Sequence, residues 1–554
     1  MKRIFATILG VLLVVAGAGS VHAESLIGEQ FQAIHPDIQS VGILIDDSAD
    51  LKKQWAGLQA FTGTGPNNTG NIVSVKACDS YGTKGCETDK FFNYQALLPL
   101  CATESSANCV SSLVATGPDG ISHNAIYVED FPGKTKYSYV GNTAAQLPDS
   151  GSNFIVSIPD LPHSHGDKYL VAAQLTGNKE GKDPSFGISN FRIGLYAVTF
   201  IDGRYKVPFS ATEMSHFEPA VIGNTAADNS GWDYTNSVIP NCAQMSETRC
   251  ALAWPLPLDV SFEMTLRMKI AIQGWLHGRL SDASASIKSE PNGMSSITIS
   301  GKPVVVPTVF KYFPLAEVPS VITSYYKKDA KSLSFDLNFS NAANERSTVR
   351  TLNRYSSEEF PEAIVWYKAL SDTAPFSATA WSFRSITGGQ LGRSCDIGSG
   401  KLNGLVSTNS NMYVSEPPVF NKDDQTLDYK VTSPHFLPDG SVFKGTYNLV
   451  IDSDFARCIY GFSKAPVSAK VSILSSNGTE QVATTVLTEK NGYIRLAASN
   501  FTFSAPTIKV KLTQEGAPKE AKRYSIYCQN KAGYKREFNG VNPKCPKGYK
   551  KVAK

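Results

Sequence analysis

Polar and apolar residues alternate most clearly in the last third of the chain. Thr507 to Leu512 places its apolar residues on every second position, the period of a half-buried strand. Val467 to Leu474, Gln481 to Leu487 and Tyr493 to Ala497 are separated by Asn477-Gly478 and Asn491-Gly492. Asn-Gly supplies the positive φ values of tight two-residue turns, so these runs predict three consecutive antiparallel strands. Gly445 to Ile451 reads as another strand. One segment has helical spacing instead. Ala363, Ile364, Trp366, Tyr367 and Leu370 follow Ser357-Glu358-Glu359, a capping signal, and Pro361 fits only the first turn of such a helix.

Composition extends the strand reading to the whole chain. The 23 Tyr and 28 Phe residues, with many Val, Ile and Thr, favour a pleated surface, while 43 Gly and 30 Pro are scattered as turn punctuation. Charged residues are only 18%, too few for a disordered solvating chain, so the sequence should fold. A length of 554 residues exceeds a single core.

Residues 1–23 have the layout of an export signal. Lys2 and Arg3 precede the uncharged stretch Ile4 to Gly19, and Val21-His22-Ala23 offers small residues for cleavage after Ala23. The apolar stretch is shorter than the roughly 20 residues that span a bilayer, and no cysteine follows it to carry a lipid. No later segment reads as a transmembrane helix.

All ten cysteines lie beyond residue 77 and fall into neighbouring couples. An even count behind an export signal predicts a disulfide framework. Neighbouring partners lose least loop entropy on closing, which gives Cys78–Cys86, Cys101–Cys109, Cys242–Cys250, Cys395–Cys458 and Cys528–Cys545. The long bridge, from Cys395 to Cys458, should staple two strands distant in sequence. Five identities between the loops at Cys101 and Cys242 raise the idea of a duplicated module.

Charge is distributed unevenly. Residues 515–554 hold eleven Lys or Arg against Glu515, Glu520 and Glu537, a net of +8. Subtracting that and the +2 of residues 1–23 from the total of +4 leaves −6 on residues 24–514. An acidic body with a basic tail predicts attachment to an anionic envelope polymer or glycan through Lys519, Lys522, Arg523, Lys531, Lys535, Arg536, Lys544, Lys547, Lys550 and Lys551. Nucleic acid is not the expected partner of an exported chain.

The motifs of catalysis are missing: the chain has no G-x-S-x-G elbow, H-E-x-x-H helix, phosphate loop or dinucleotide fingerprint. No C-x2-C pair favours zinc. His163, His165 and Asp167 form the best metal candidate, since alternate strand residues would aim both imidazoles to one face, but Pro162 and Gly166 mark a turn and a solvated loop is preferred. No cofactor is expected. Trp232, Trp254, Trp275 and Trp381 are candidate sugar platforms, with burial the commoner role of tryptophan.

Two stretches carry a resemblance. The tail from Cys528 to Tyr534 and from Val541 to Lys551 resembles short basic C-terminal modules of secreted actinobacterial proteins. Gly404 to Asn411, Ser433 to Gly440 and Ala498 to Pro506 are similar to segments of large uncharacterised exported or surface proteins from the same group. The resemblance implies an envelope or extracellular setting and supplies no reaction.

The sequence therefore predicts a mainly β chain of several antiparallel, sandwich-like domains stapled by disulfides, with a short helix and a small basic C-terminal module. The expected division is a signal peptide at 1–23, β-rich domains at 24–205 and 206–330, a disulfide-stapled sandwich at 331–514 and the tail module at 515–554. The expected function is that of an exported, non-catalytic binding or structural protein. A secreted hydrolase acting on polysaccharide or peptide, or a carbohydrate-binding protein, is the alternative.

Overall fold

Branched and aromatic side chains build strands throughout the described residues, joined there into sheets of 18, five, six and three strands. The computed structural model describes residues 40–45, 55–63, 72–135, 137–203, 242–269, 274–328, 347–352, 355–386, 395, 402–463, 467–474, 480–482, 484–503, 507–514, 524–530, 533, 535–540, 544–545 and 548–552. The export signal at 1–23 lies outside them. So does Asn477-Gly478, the first of the two hairpin turns.

Three strands form the middle layer. Gly274–Arg279 pairs in parallel with Leu402–Thr408, which pairs antiparallel with Lys444–Asp452. Leu276, Leu405 and Val450 face one core. Trp275, Val406, Leu449 and Ile451 face a second core on the other side. Every residue of Leu402–Thr408 is buried, because the strand has core on both faces and no side left for solvent.

The first core is closed by a five-stranded sheet that contributes Leu113, Phe262, Met264 and Ile299. Phe262 meets Tyr169 and Trp381 of the large sheet at centroid distances of 5.7 and 6.4 Å. The second core is closed by a six-stranded sheet that contributes Tyr429, Val471, Ile473, Ile508 and Val510. A third, smaller core gathers Val41, Ile43, Ile45, Ile322, Ala363 and Trp366. There the strand Ser40–Ile45 lies between Val304–Pro314 and Ser347–Thr351.

Pairing across long stretches of chain organises the molecule. Cys109–Thr116 pairs with Ser261–Met268, and Gly187–Asp202 with Phe376–Ile386. Ladders thus run across positions 205/206 and 330/331. Among the described residues two ladders are parallel, which strand alternation did not foretell: Gly274–Arg279 with Leu402–Thr408, and Ser40–Ile45 with Ser347–Thr351. Parallel neighbours need long crossovers, and both pairs are separated by more than a hundred residues of sequence.

Three local expectations change in detail. The helix is Phe360–Ala369 with Pro361 in its first turn, but the capping hydroxyl is Ser356, one residue earlier, acting on Glu358 through a short 3-10 turn. It packs in the third core, where Trp366 Nε1 donates to Tyr326 Oη at 3.0 Å. The expected strand from Gln481 to Leu487 is two strands. Glu480–Val482 pairs with Val467–Leu474 in the six-stranded sheet, while Thr484–Lys490 pairs with Tyr493–Thr502 in the large one. The chain changes sheets there, and the Asn491-Gly492 hairpin closes as predicted, both residues at positive φ. Cys458 lies on the helix Ser453–Tyr460, not on a strand.

All five neighbouring cysteine couples are disulfide-bonded. The bridge from Cys395 to Cys458 therefore ties a helix, rather than a second strand, to a segment 63 positions away. The two similar loops sit in different settings. Cys109 opens a strand of the five-stranded sheet, whereas Cys242 and Cys250 lie within the hairpin Cys242–Met245 and Arg249–Trp254 of the large sheet.

Candidate functional site

The metal candidate resolves into local hydrogen bonding. His163 Nε2 donates to the Lys168 carbonyl at 3.1 Å, and its Nδ1 accepts the His165 N–H at 3.3 Å, so both ring nitrogens are engaged. Burial pushes the His163 pKa down, which keeps the ring neutral. The His165 ring stacks on Trp254 at 3.3 Å between centroids, and Asp167 accepts from Ser157 Oγ. Among the described residues no cluster of three His, Cys, Asp or Glu side chains is placed to hold a metal.

The tryptophans are core or wall residues. Trp275 and Trp381 are buried, and Trp254 donates to Thr199 Oγ1 at 2.8 Å under the His165 ring. A Cβ at Gly404 would fall 2.5 Å from the Trp275 ring, so that glycine makes room for the buried indole. Trp232 lies outside the described residues.

The tail forms its own three-stranded sheet, with Tyr524–Asn530 between Lys535–Gly540 and Tyr549–Val552. Lys535 and Lys550 stand opposite Gln529 from the two flanking strands. Arg536 and Lys551 stand opposite Cys528 in the same way. Directly opposed residues share a face and neighbours along a strand alternate, so cationic positions occur on both faces. Lys535, Lys544, Lys550 and Lys551 are exposed, and Cys528, bonded to Cys545, is fully buried. Lys519, Lys522, Arg523, Lys531 and Lys547 lie outside the described residues.

A cleft of about 1360 Å³ opens between three loops and the large sheet. One wall is the loop closed by Cys101–Cys109, the second runs from Gly141 to Asp149, and the third is the turn at Asn292. Hydrogen bonds fix these walls. Asn142 Oδ1 accepts the Ala145 N–H at 3.0 Å, Asp149 Oδ1 accepts the Gly141 N–H at 2.7 Å, and Asn108 Oδ1 accepts the Lys269 N–H at 3.1 Å. Asn108, Gln146 and Asn292, one from each loop, all have positive φ. Backbone held in that region collects at ligand-binding and active sites. The sequence marked only part of this. Pro291-Asn292-Gly293 is a turn signal, but Gln146 carries none, and neutral residues in loops read as solvated.

A second polar group is buried on the middle-layer strand Gly274–Arg279. His277 is 1% exposed and stacks on Tyr413 at 3.4 Å, and the Arg279 guanidinium lies 4.6 Å from the centre of the same ring. Arg279 donates to the carbonyls of Thr408 and Ser410 at 2.8 and 2.6 Å. Burial first, then the charges of Arg279 and Arg384, hold the His277 pKa well below the ordinary 6.5. The unfolded chain binds this proton below pH 6.5 and the folded chain does not. The contribution to stability is therefore whole above pH 6.5 and is lost as the pH falls from there toward the depressed folded value. Lowering the pH from 7 to 5 should cost more stability in the native chain than in His277→Phe, read from urea unfolding at the two pH values. Equal losses in both proteins would show that His277 is not the group responsible.

Compared with known proteins, the chain matches no family model and no curated protein. The five disulfides fit an oxidising extracellular setting, and no helix among the described residues is long and apolar enough to cross a membrane.

Proposed function

We propose that this is an exported, non-catalytic binding protein of the cell envelope, held to an anionic envelope polymer by its basic C-terminal module. The observation that carries this reading is the tail sheet, where exposed lysines flank a disulfide-bonded central strand and cationic positions occupy both faces. Charge spread over two faces suits contact with a flexible polyanion, which needs a positive field rather than a shaped pocket. The net of −6 on residues 24–514 makes the tail the electrostatic contrast of the molecule. The signal-like residues 1–23, the disulfides and the resemblance of the tail to actinobacterial secreted modules support export to an envelope.

Binding to isolated cell walls tests it. The mature chain should bind at low salt and release as salt approaches about 1 M, where the screening length shrinks to about 3 Å. A chain ending at Leu512 should bind roughly tenfold more weakly or not at all at low salt, and so should the full chain carrying K535E, K550E and K551E. Equal binding by all three, or binding that ignores salt, would remove the tail from the role.

A further inference from the structure

We propose that the cleft between the Cys101–Cys109 loop, the Gly141–Asp149 loop and the Asn292 turn is a binding site for an uncharged oligosaccharide. This inference is independent of the tail, since it concerns neutral chemistry on the body of the protein.

The lining sets the ligand class. Ser105, Asn142, Thr143, Gln146, Ser189 and Asn292, whose side chains carry hydroxyl or amide groups, line the cleft. Such groups both donate and accept hydrogen bonds, as sugar hydroxyls do. Between them lie apolar surfaces of Leu100, Ile188 and Ile386, suited to the C–H faces of a sugar ring. Charge in the lining is sparse and balanced: one carboxylate, Asp149, whose Oδ1 accepts the Gly141 N–H, and one ammonium, Lys269. A charged ligand would exchange its hydration for mostly neutral groups. A purely apolar one would strip water from amides without replacing those hydrogen bonds. A hydroxyl-rich, uncharged ligand meets neither cost.

Shape and rigidity agree with this class. At about 1360 Å³ the cleft exceeds the 300–1,000 Å³ usual for a single small molecule, so it accommodates a chain of sugar units. Its polar groups are also held in place before a ligand arrives. The Asn142 amide is held by its Oδ1 contact to the Ala145 N–H, and a disulfide closes the opposite loop. Preorganised donors lower the ordering cost of binding.

The positive φ of Gln146 and Asn292 provides a clean test. Glycine adopts that backbone without strain, so Gln146→Gly with Asn292→Gly removes two amides while leaving the loops as they are. Calorimetric titration of the full mature protein would use oligosaccharides cut from α-glucan, β-glucan, mannan, arabinan and galactan. An oligouronate and an extended neutral peptide are the comparison ligands. At least one neutral oligosaccharide should bind, with an affinity unchanged between low and high salt. The double variant should bind it about tenfold more weakly at an unchanged melting temperature. The proposal is overturned if no neutral oligosaccharide binds, if only the uronate or the peptide binds, or if binding survives the double substitution. Salt-insensitive binding also separates this site from the tail, so one reading can fail while the other stands.

Discussion

Replacing Trp381 with alanine should destabilise the protein by about 3–5 kcal/mol, the range for truncating a large buried aromatic. Trp381 is 1% exposed, and its ring meets Phe262 and Phe383 in the first core. It also stands where the strand Phe376–Ile386 changes partners. Residues up to Ala380 pair with Val304–Pro314, and from Ser382 onward the strand pairs with Gly274–Arg279. On its other edge Trp381 is opposite Leu195 of the long strand Gly187–Asp202. Its indole nitrogen donates to the Gly301 carbonyl at 2.9 Å, tying the large sheet to the five-stranded one. Truncation therefore leaves a cavity at the meeting point of several ladders and removes a donor from a buried carbonyl. Trp381→Phe should cost less, because it keeps most of the volume. Urea unfolding followed by tryptophan-independent circular dichroism would measure both. A loss under about 1.5 kcal/mol for alanine would mean the site collapses around the gap and is not the junction described.

Removing the Cys395–Cys458 bridge should have the second large effect. Its ends are 63 positions apart, against 8 for each C-x7-C bridge. On the chain-entropy model the long loop is worth about 4 kcal/mol and each short one about 2.6 kcal/mol. The structure adds a reason of its own. Cys458 sits on the helix Ser453–Tyr460, whose Phe455, Ala456 and Tyr460 are buried in the second core. Asp452 caps that helix, accepting from the backbone of Asp454 and Phe455 at 2.9 Å, and Gly461 ends it at positive φ. The bridge thus anchors an element already docked on the core. Burial complicates the ranking in a predictable way. Cys458 is exposed, so a serine hydroxyl there would meet solvent, whereas Cys242 and Cys250 are fully buried and serine would bury hydroxyls. Alanine pairs give the fairer comparison. Equal melting losses for the long and short bridges, both as alanine pairs, would refute the loop-length argument.

Local chemistry made part of this protein legible without any structure. The Asn491-Gly492 turn, the alternation of Thr507 to Leu512 and the proline at the start of the helix Phe360–Ala369 each depend on a few adjacent residues. The five disulfides were legible as well, since pairing each cysteine with the next one along the chain closes the smallest loops. The basic tail was equally plain, because charge density is a property of composition.

Partnership between strands was not legible, and it decides the architecture. A period of two says which residues share a face and nothing about which strand lies alongside, because ladder hydrogen bonds are made by a backbone common to all residues. Only the folded chain brings Leu402–Thr408 between two cores, splits the run around 480–490 between two sheets, and lays Ser40–Ile45 between strands some 270 and 300 residues away. The cleft has the same origin. Asn108, Gln146 and Asn292 are ordinary loop residues in the sequence, and they face one space because the ladders that support their loops are stacked by burial of apolar side chains. Turns, caps, bridges and charge belong to neighbours in sequence; layers, junctions and the cleft belong to contacts between distant residues, which only the shared core selects.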